Sequence, residues 1–273
     1  MPPRRPGRAP LVLFLLLGGC SAQRVVAATN DDWAPAGTTK IERVLLVSID
    51  GFHAGDLEHY IERKPDSTLA RLARVGVRYT NARAPFPSDS FPSVLAWATG
   101  GTPRSTGVFY DISYDRRLAA PGSDCSTVGT VVDFSEVADL DSSSRSEAVA
   151  QHLLDKKDAA GIDHVISGAE LTALFGDPAS DSRVPDLIVV VKTGTIYTDS
   201  GKKIAEHGGM SDDDRKVALL VVGGNPTPAV IEDSVATRQI APTVLSALGL
   251  DPSSLQAVQA EQTSVLPGLQ LAH

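Results

Sequence analysis

Arg43-Val-Leu-Leu-Val-Ser-Ile-Asp-Gly-Phe52 is an apolar run that ends on a carboxylate and a glycine. A continuous run of branched apolar residues is typical of a strand buried on both faces, as in a parallel sheet. Open α/β sheets bind their ligands at the carboxyl ends of such strands. Asp50, which ends this run, is therefore the first candidate site residue.

A second segment places a serine at the start of a predicted helix. Its sequence is Pro85-Phe-Pro-Ser-Asp-Ser-Phe-Pro-Ser-Val-Leu-Ala-Trp-Ala-Thr-Gly-Gly101. Pro92 and Ser93 predict the helix start, and the two glycines predict its end. Ser90 would then lie just ahead of the helix N-terminus, where free N–H groups and the helix dipole favour an anion.

Taken in order, these segments resemble the type I phosphodiesterase/nucleotide pyrophosphatase family of the alkaline phosphatase superfamily. The resemblance lies in a strand that ends in Asp-Gly-Phe, followed by Ser-Phe-Pro at the opening of a helix that ends in Thr-Gly. Two later stretches are similar as well, namely Ala205-Glu-His-Gly-Gly209 and Ile240-Ala-Pro-Thr-Val-Leu-Ser-Ala-Leu-Gly249. The similarity covers Val44 to Tyr114 and Ser146 to Leu250.

The resemblance implies a metal-dependent phosphoric ester hydrolase with a small phosphoester or nucleotide-like substrate. Asp50 and His207 would bind metal, and Ser90 would be both the nucleophile and a metal ligand. Ser93 lies in the first turn of the predicted helix and could offer its hydroxyl to a phosphate oxygen of the substrate. Related enzymes often have Asn at this position, so the sequence departs from the family here. The implied cofactor is a divalent metal, zinc, with two ions in the family. Two such ions can ionise a hydroxyl and neutralise charge on the attacking and leaving oxygens.

Each of these residues also has a purely structural interpretation. Asp50 could terminate a strand, Ser90 could cap a helix, and His207 could be a loop histidine. His53 and His59 lie near Asp50 in the sequence and are predicted to be surface or cap residues.

Four further ligands that the resemblance implies have no clear counterpart in the sequence. Asp163-His164 precedes the predicted strand at Val165 instead of following one, so we predict a loop there. His152 lacks a carboxylate at the required spacing, and Asp212-Asp213-Asp214 is predicted to be solvated surface.

The similarity fades near Asp139 to Ser144 and resumes near Ser146, which indicates an internal deletion near 139–146. An alternative function follows from this loss: a non-catalytic, shortened relative with a binding role or none. Cys125 is the one cysteine beyond Cys20, and a single thiol is unusual in an exported chain.

The N-terminus predicts export. Arg4, Arg5 and Arg8 precede an apolar run that is too short to cross a bilayer, which is typical of a secretion signal over residues 1–20. Leu17-Gly-Gly-Cys20 resembles a bacterial lipobox, which implies a lipidated Cys20 and membrane attachment through the lipid. The alternative is an ordinary signal peptide cleaved near Ala28, which would give a secreted protein instead of a cell-envelope lipoprotein.

The remaining residues predict a tether over 21–39 and one α/β domain over 40–273. We expect a mostly parallel sheet flanked by helices, alkaline-phosphatase-like but shortened. Val44–Ile49, Leu187–Val191 and Leu219–Val222 would share this sheet and bring Asp50 and His207 together at its carboxyl edge. The formal charge of −8 argues against binding to a nucleic-acid backbone, which requires a basic surface.

Overall fold

The computed structural model describes residues 11–14, 41–115, 117, 124, 126–133, 155, 157–197, 207–224 and 227–271. These residues form a mixed α/β fold around a six-stranded sheet. Cys20, Cys125, His152, the tether 21–39 and the join 139–146 lie outside the described residues. The division into 1–20, 21–39 and 40–273 stays a prediction.

The first half of the chain carries the elements that lead up to the two predicted site segments. They are β1 (Leu11–Phe14), β2 (Val44–Val47), α1 (Ala54–Arg63), α2 (Thr68–Val75), β3 (Val77–Arg83), α3 (Ser90–Thr99), α4 (Pro103–Thr106), β4 (Ile112–Asp115) and β5 (Thr130–Asp133). Ser67 caps α2 by accepting a hydrogen bond from the Ala70 N–H, and Gly76 ends that helix.

The second half completes the sheet and adds a separate hairpin. Its elements are β6 (Ile162–Ser167), α5 (Gly168–Phe175), β7 (Leu187–Val191), α6 (Asp212–Arg215), β8 (Lys216–Val222), β9 (Ala229–Ile231), β10 (Val235–Ala236), a 3₁₀ turn (Thr237–Gln239), α7 (Ile240–Ala247), a second 3₁₀ turn (Pro252–Ser254) and α8 (Gln256–Glu261).

The main sheet is mixed, because β8 runs against the other five strands, and the predicted mostly parallel arrangement is not confirmed. Its strand order is β10-β3-β8-β1-β2, with β9 also paired to β3. β8 runs antiparallel to both β1 and β3, whereas the other pairings are parallel. The direction of β8 follows from its entry point, because Lys216 at its start pairs with Arg83 at the end of β3.

The predicted place of Leu187–Val191 in the main sheet is wrong. This segment is β7, and it forms an antiparallel hairpin with β6 in which Ser167 pairs with Leu187. Alternate residues of β7 are buried, so one face of the hairpin covers a second core that includes Phe109, Leu171 and Phe175. The predicted loop at Asp163-His164 is also wrong, because both residues lie within β6.

β1 occupies a place between β2 and β8. Leu11 to Phe14 pairs in parallel with Val44 to Val47, and it pairs antiparallel with Leu220 to Val222 of β8. Among the described strands, β2 has no other pairing partner. The apolar run predicted to belong to a secretion signal therefore connects β2 to the rest of the sheet.

β8 is buried on both of its faces over Leu219–Val222, as its uninterrupted apolar sequence predicts. Leu219 and Val221 belong to a core with Tyr79 and Ile240. The Tyr79 hydroxyl donates a hydrogen bond to the Pro267 carbonyl at 2.7 Å, and burial raises the pKa of this tyrosine. Within the described part of the chain, no helix is long and apolar enough to cross a membrane.

Candidate functional site

Asp50 and His207 meet, as the sequence predicts. The Asp50 Oδ1 lies 3.2 Å from the His207 Nδ1, although these residues are far apart in the chain. Asp50 follows β2 in a tight turn whose next residue, Gly51, has a φ of +60°, a conformation that favours glycine. The Asp50 side chain is 18% exposed and that of His207 is 39% exposed, so the pair sits at the border between protein and solvent.

One oxygen of Asp50 lacks a hydrogen-bond donor. Its Oδ1 is buried, and the contact with His207 lies within ion-pair distance but does not form a hydrogen bond. Buried carboxylate oxygens are normally hydrogen-bonded or bound to a cation, because burial otherwise penalises the charge. Asp50 Oδ1 is thus an acceptor that a cation beside His207 would satisfy.

Two glycines allow the His207 segment to pack closely against its neighbours. Gly208 has a φ of +93°, and a Cβ on it would lie 3.0 Å from the Asp89 Oδ1. A Cβ on Gly209 would lie 2.2 Å from the Asp214 Oδ2. Only glycine fits this approach of backbone to carboxylate. In the sequence, the two consecutive glycines after His207 indicate this close approach.

Two hydrogen bonds from Ser88 link the His207 segment to the start of α3. Its backbone N–H donates to the Gly209 carbonyl at 3.1 Å, and its hydroxyl donates to the same carbonyl at 2.7 Å. The Asp50 turn, the His207 segment and the helix that carries Ser90 are therefore connected directly.

α3 begins two residues earlier than the predicted start at Pro92, so Ser90 is its first residue and does not precede it. Asp89 is the N-cap. Its Oδ1 accepts a hydrogen bond from the Ser90 N–H at 3.1 Å, and its Oδ2 accepts one from the Asp111 N–H at 2.8 Å. The Asp111 carboxylate accepts in turn from the Phe91 N–H.

These contacts occupy the expected anion site at the helix N-terminus. The Ser90 and Phe91 N–H groups bind carboxylates of the protein itself, and Pro92 has no N–H group. Sequence reasoning missed Asp89 and Asp111. Asp is one of the preferred N-cap residues, so an Asp within a few residues of a predicted helix start is a signal that could have identified the first of them.

Asp89 has an unusual electrostatic environment. Burial raises its pKa above the ordinary value, and the nearby Asp111 carboxylate acts in the same direction. The backbone hydrogen bonds and His207 oppose this rise without cancelling it. The start of α3 therefore favours a proton on Asp89 more than water does.

A cavity lies where these segments meet. Its lining includes Asp50, Ser93, His207, Gly208 and Asp214, together with Gly51, Phe52, His53, Ala84, Ser88, Val217, Ala218 and Thr237. Ser90 is half-buried and is not one of the lining residues. Ser93 is buried, and its hydroxyl donates to the Ser88 carbonyl at 3.3 Å.

The three aspartates at 212–214 do not share one environment, because Asp212 is at the surface and Asp214 lines the cavity. Asp212 is exposed and pairs with Arg83, as a solvated residue does. Asp214 is half-buried, lines the cavity and accepts a hydrogen bond from the Ser211 hydroxyl at 2.6 Å. The prediction of solvated surface is therefore wrong for Asp214, because the Ser211 cap turns its carboxylate inward.

Two other histidines, His53 and His164, have structural contacts. His53 is the N-cap of α1 and donates its backbone N–H to the Asp56 Oδ2 at 3.0 Å, which confirms its predicted role as a cap. His164 lies 2.8 Å from its neighbour Asp163, with both side chains exposed on β6.

Few side chains of the described residues are placed to bind a metal ion. Within the described residues, no group of three or more His, Cys, Asp or Glu side chains is placed to hold a metal ion. The Asp50 carboxylate and the His207 imidazole fit one weakly held divalent ion, which would satisfy the Asp50 Oδ1. They do not fit the two zinc ions that the resemblance implies, since such a pair needs about six donors.

Comparison with known families agrees with the resemblance in the sequence. The model of the Type I phosphodiesterase/nucleotide pyrophosphatase family matches residues 44–131, about a third of the chain. The matched segment contains Asp50, Ser90 and Ser93 and ends before His207. No curated protein and no solved structure matches the chain.

Proposed function

We propose that the chain is an exported phosphoric ester hydrolase of the phosphodiesterase/nucleotide pyrophosphatase type, with Ser90 as its nucleophile and with slow turnover. The observation that supports it best is the 3.2 Å contact between Asp50 and His207 beside a cavity. The family match supplies the chemistry, because it covers both the Asp50 strand and the Ser90 helix. The substrate would be a small phosphoester or a nucleotide-like molecule.

The protein's own residues have definite tasks in this proposal. Asp50 and His207 would hold one divalent ion, taken to be zinc, which would supply positive charge near the phosphate when bound. Asp89 orients Ser90 by holding its backbone N–H group. Ser93 would offer its hydroxyl to a phosphate oxygen once it leaves the Ser88 carbonyl.

Slow turnover follows from the charges around Ser90. Ionising a serine hydroxyl near neutral pH requires a strong local cation. Asp89 and Asp111 place carboxylates at the N–H groups that would otherwise attract a phosphate. The absence of one electrostatic stabiliser typically costs about 3–4 kcal/mol in the barrier, a factor of roughly 10²–10³ in rate.

A second candidate function is a shortened, non-catalytic relative with a binding role or none. The short ligand inventory of the described residues favours it. The two candidates differ in whether the purified protein hydrolyses a phosphodiester in a way that depends on both zinc and Ser90.

The test combines zinc analysis of the purified protein with hydrolysis of bis(4-nitrophenyl) phosphate. We expect slow, zinc-dependent hydrolysis that Ser90→Ala abolishes. Ser254→Ala is the matched control, because Ser254 is exposed and its hydroxyl contacts the Asp251 carbonyl. Hydrolysis that is equal in both variants would exclude Ser90 as the nucleophile, and no hydrolysis with zinc would favour the non-catalytic candidate.

Export is a separate part of the proposal, and it is supported by the sequence of residues 1–20. Mass spectrometry of the mature N-terminus tests it: a lipid on Cys20 would identify a cell-envelope lipoprotein. An unmodified terminus that begins near Thr29 would identify a secreted protein.

A further inference from the structure

A second cavity in the molecule is lined by three arginines. Arg83 comes from the end of β3, Arg215 from the end of α6 and Arg238 from the 3₁₀ turn before α7. The rest of the lining consists of Ala84, Pro85, Ser234, Val235, Ala236 and Gln239 and contains no carboxylate. The lining of this cavity is positively charged, although the whole chain carries a formal charge of −8.

Two of the arginines have carboxylate partners. Arg83 pairs with Asp212, whose side chain is 78% exposed. Arg238 pairs with Glu261, which is 13% exposed and also accepts hydrogen bonds from the Thr102 backbone N–H and hydroxyl. The first pair is therefore a surface contact of small energy that an incoming anion can replace, whereas the second is fixed.

Arg215 is held by neutral groups. Its Nε donates to the Pro85 carbonyl at 3.3 Å, and its guanidinium lies 5.0 Å from the centre of the Phe86 ring. Among the described residues, no carboxylate lies within ion-pair distance of it. Burial and the charge of Arg83 lower the pKa of Arg215, and the Asp212 carboxylate opposes this without cancelling it. The two guanidinium groups therefore repel each other.

We propose that this cavity binds a phosphate-type oxyanion between Arg215 and Arg83. An oxyanion would form the direct ion pair that Arg215 lacks among the described residues and would reduce its repulsion with Arg83. The planar guanidinium donates paired N–H groups that match the oxygens of phosphate. A binding role here is independent of the catalytic role proposed for Ser90.

The position of the cavity suggests two sources for the oxyanion. Ala84 lines both cavities, and the consecutive residues Asp214 and Arg215 line one each. The oxyanion is thus either free phosphate or a phosphate group of an ester bound beside the candidate active site.

The experiment is calorimetric titration of the full chain with inorganic phosphate and, in a second arm, with adenosine monophosphate. Both are run at constant ionic strength. We expect Arg215→Met to weaken phosphate binding about tenfold or more, because a charge-assisted hydrogen-bond pair is lost. Arg74→Met is the matched control, since Arg74 is exposed and its guanidinium also contacts a backbone carbonyl, that of Pro65.

Unchanged phosphate affinity in Arg215→Met, or equal losses in both variants, would overturn the proposal. If Arg215→Met does not fold, Arg83→Met replaces it, with the same loss expected. Ser90→Ala should bind phosphate normally, which separates this site from the catalytic proposal. Binding that Asp50→Ala removes and Arg215→Met preserves would place the anion in the other cavity and refute the inference.

Competition between the two ligands distinguishes their sources. If adenosine monophosphate displaces phosphate and depends on Arg215 in the same way, the site accepts a phosphate group of an ester. If only inorganic phosphate binds, the site is one for the free anion. Either result supports the proposal that this cavity binds a phosphate-type oxyanion.

Discussion

Gly208→Ala is expected to separate the geometry of the site from the stability of the fold. Gly208 has a φ of +93°, and a Cβ there would lie 3.0 Å from the Asp89 Oδ1. A non-glycine residue in such a conformation costs on the order of 2 kcal/mol. For a chain of this size, the loss corresponds to a fall in Tm of about 4–8 °C.

Contact with Asp89 adds a second effect, on function. Because the Asp89 carboxylate is held by the Ser90 and Asp111 N–H groups, it cannot retreat freely from a new methyl group. The His207 segment must therefore move away from α3, which separates the His207 imidazole from Asp50. We expect zinc to bind Gly208→Ala at least about tenfold more weakly.

The matched control is Gly176→Ala at the end of α5. Gly176 has a similar φ of +103°, but a Cβ on it would meet no atom within 4 Å. Both variants should lose similar stability in thermal unfolding, whereas only Gly208→Ala should lose zinc affinity in calorimetry. Equal zinc affinity in the two variants would refute the role assigned to the His207 segment.

Three further predictions concern the start of α3 and the N-terminal strand. Since the pKa of Asp89 is raised in the folded state, its contribution to stability should be lost as the pH rises from about 3.8 through the folded pKa. In thermal unfolding between pH 3 and 6, the stability of the protein relative to Asp89→Asn should therefore fall as the pH rises, and a difference that does not change with pH would contradict this. Asp111→Asn should strengthen the binding of vanadate, a phosphate analogue, by about tenfold, because it removes a negative charge from the Phe91 N–H; unchanged affinity in calorimetry would contradict this. Deleting residues 1–20 should lower hydrogen-exchange protection in β2 far more than in β3, because β2 pairs only with β1 among the described strands; equal protection of β2 in both forms would contradict the observed pairing.

Local patterns predicted most of the individual elements correctly. The apolar runs of β2 and β8 form strands as the sequence predicts, since their signals lie within a few residues. The predicted burial of β2 on both faces is wrong, because Leu45 is 55% exposed. Element ends were less accurate: α3 starts at Ser90 because Asp89, and not a later residue, caps it.

Pairing and side-chain direction were harder to predict because they depend on distant residues. The apolar run of β7 is compatible with a buried strand in any sheet, and only its contacts with β6 assign it to the hairpin. Likewise, nothing in the run of three aspartates shows that Ser211 turns Asp214 toward the cavity. The approach of Asp50 and His207 was predicted through the family resemblance, not through local sequence.

The distribution of charge explains how the two proposed sites differ. A phosphate in the first cavity would meet the carboxylates of Asp50 and Asp214, with His207 as the neighbouring cationic candidate. At an effective dielectric constant near 20, a like charge about 5 Å away costs roughly 3 kcal/mol. Phosphate binding in this cavity should therefore require a divalent cation. The arginine-lined cavity already carries positive charge, so its binding of phosphate should persist after metal is removed with a chelator. In Arg215→Met, where binding to the arginine-lined cavity is weakened, phosphate affinity with and without zinc reports mainly on the first cavity, and equal affinity that Asp50→Ala removes would contradict this account of its charge.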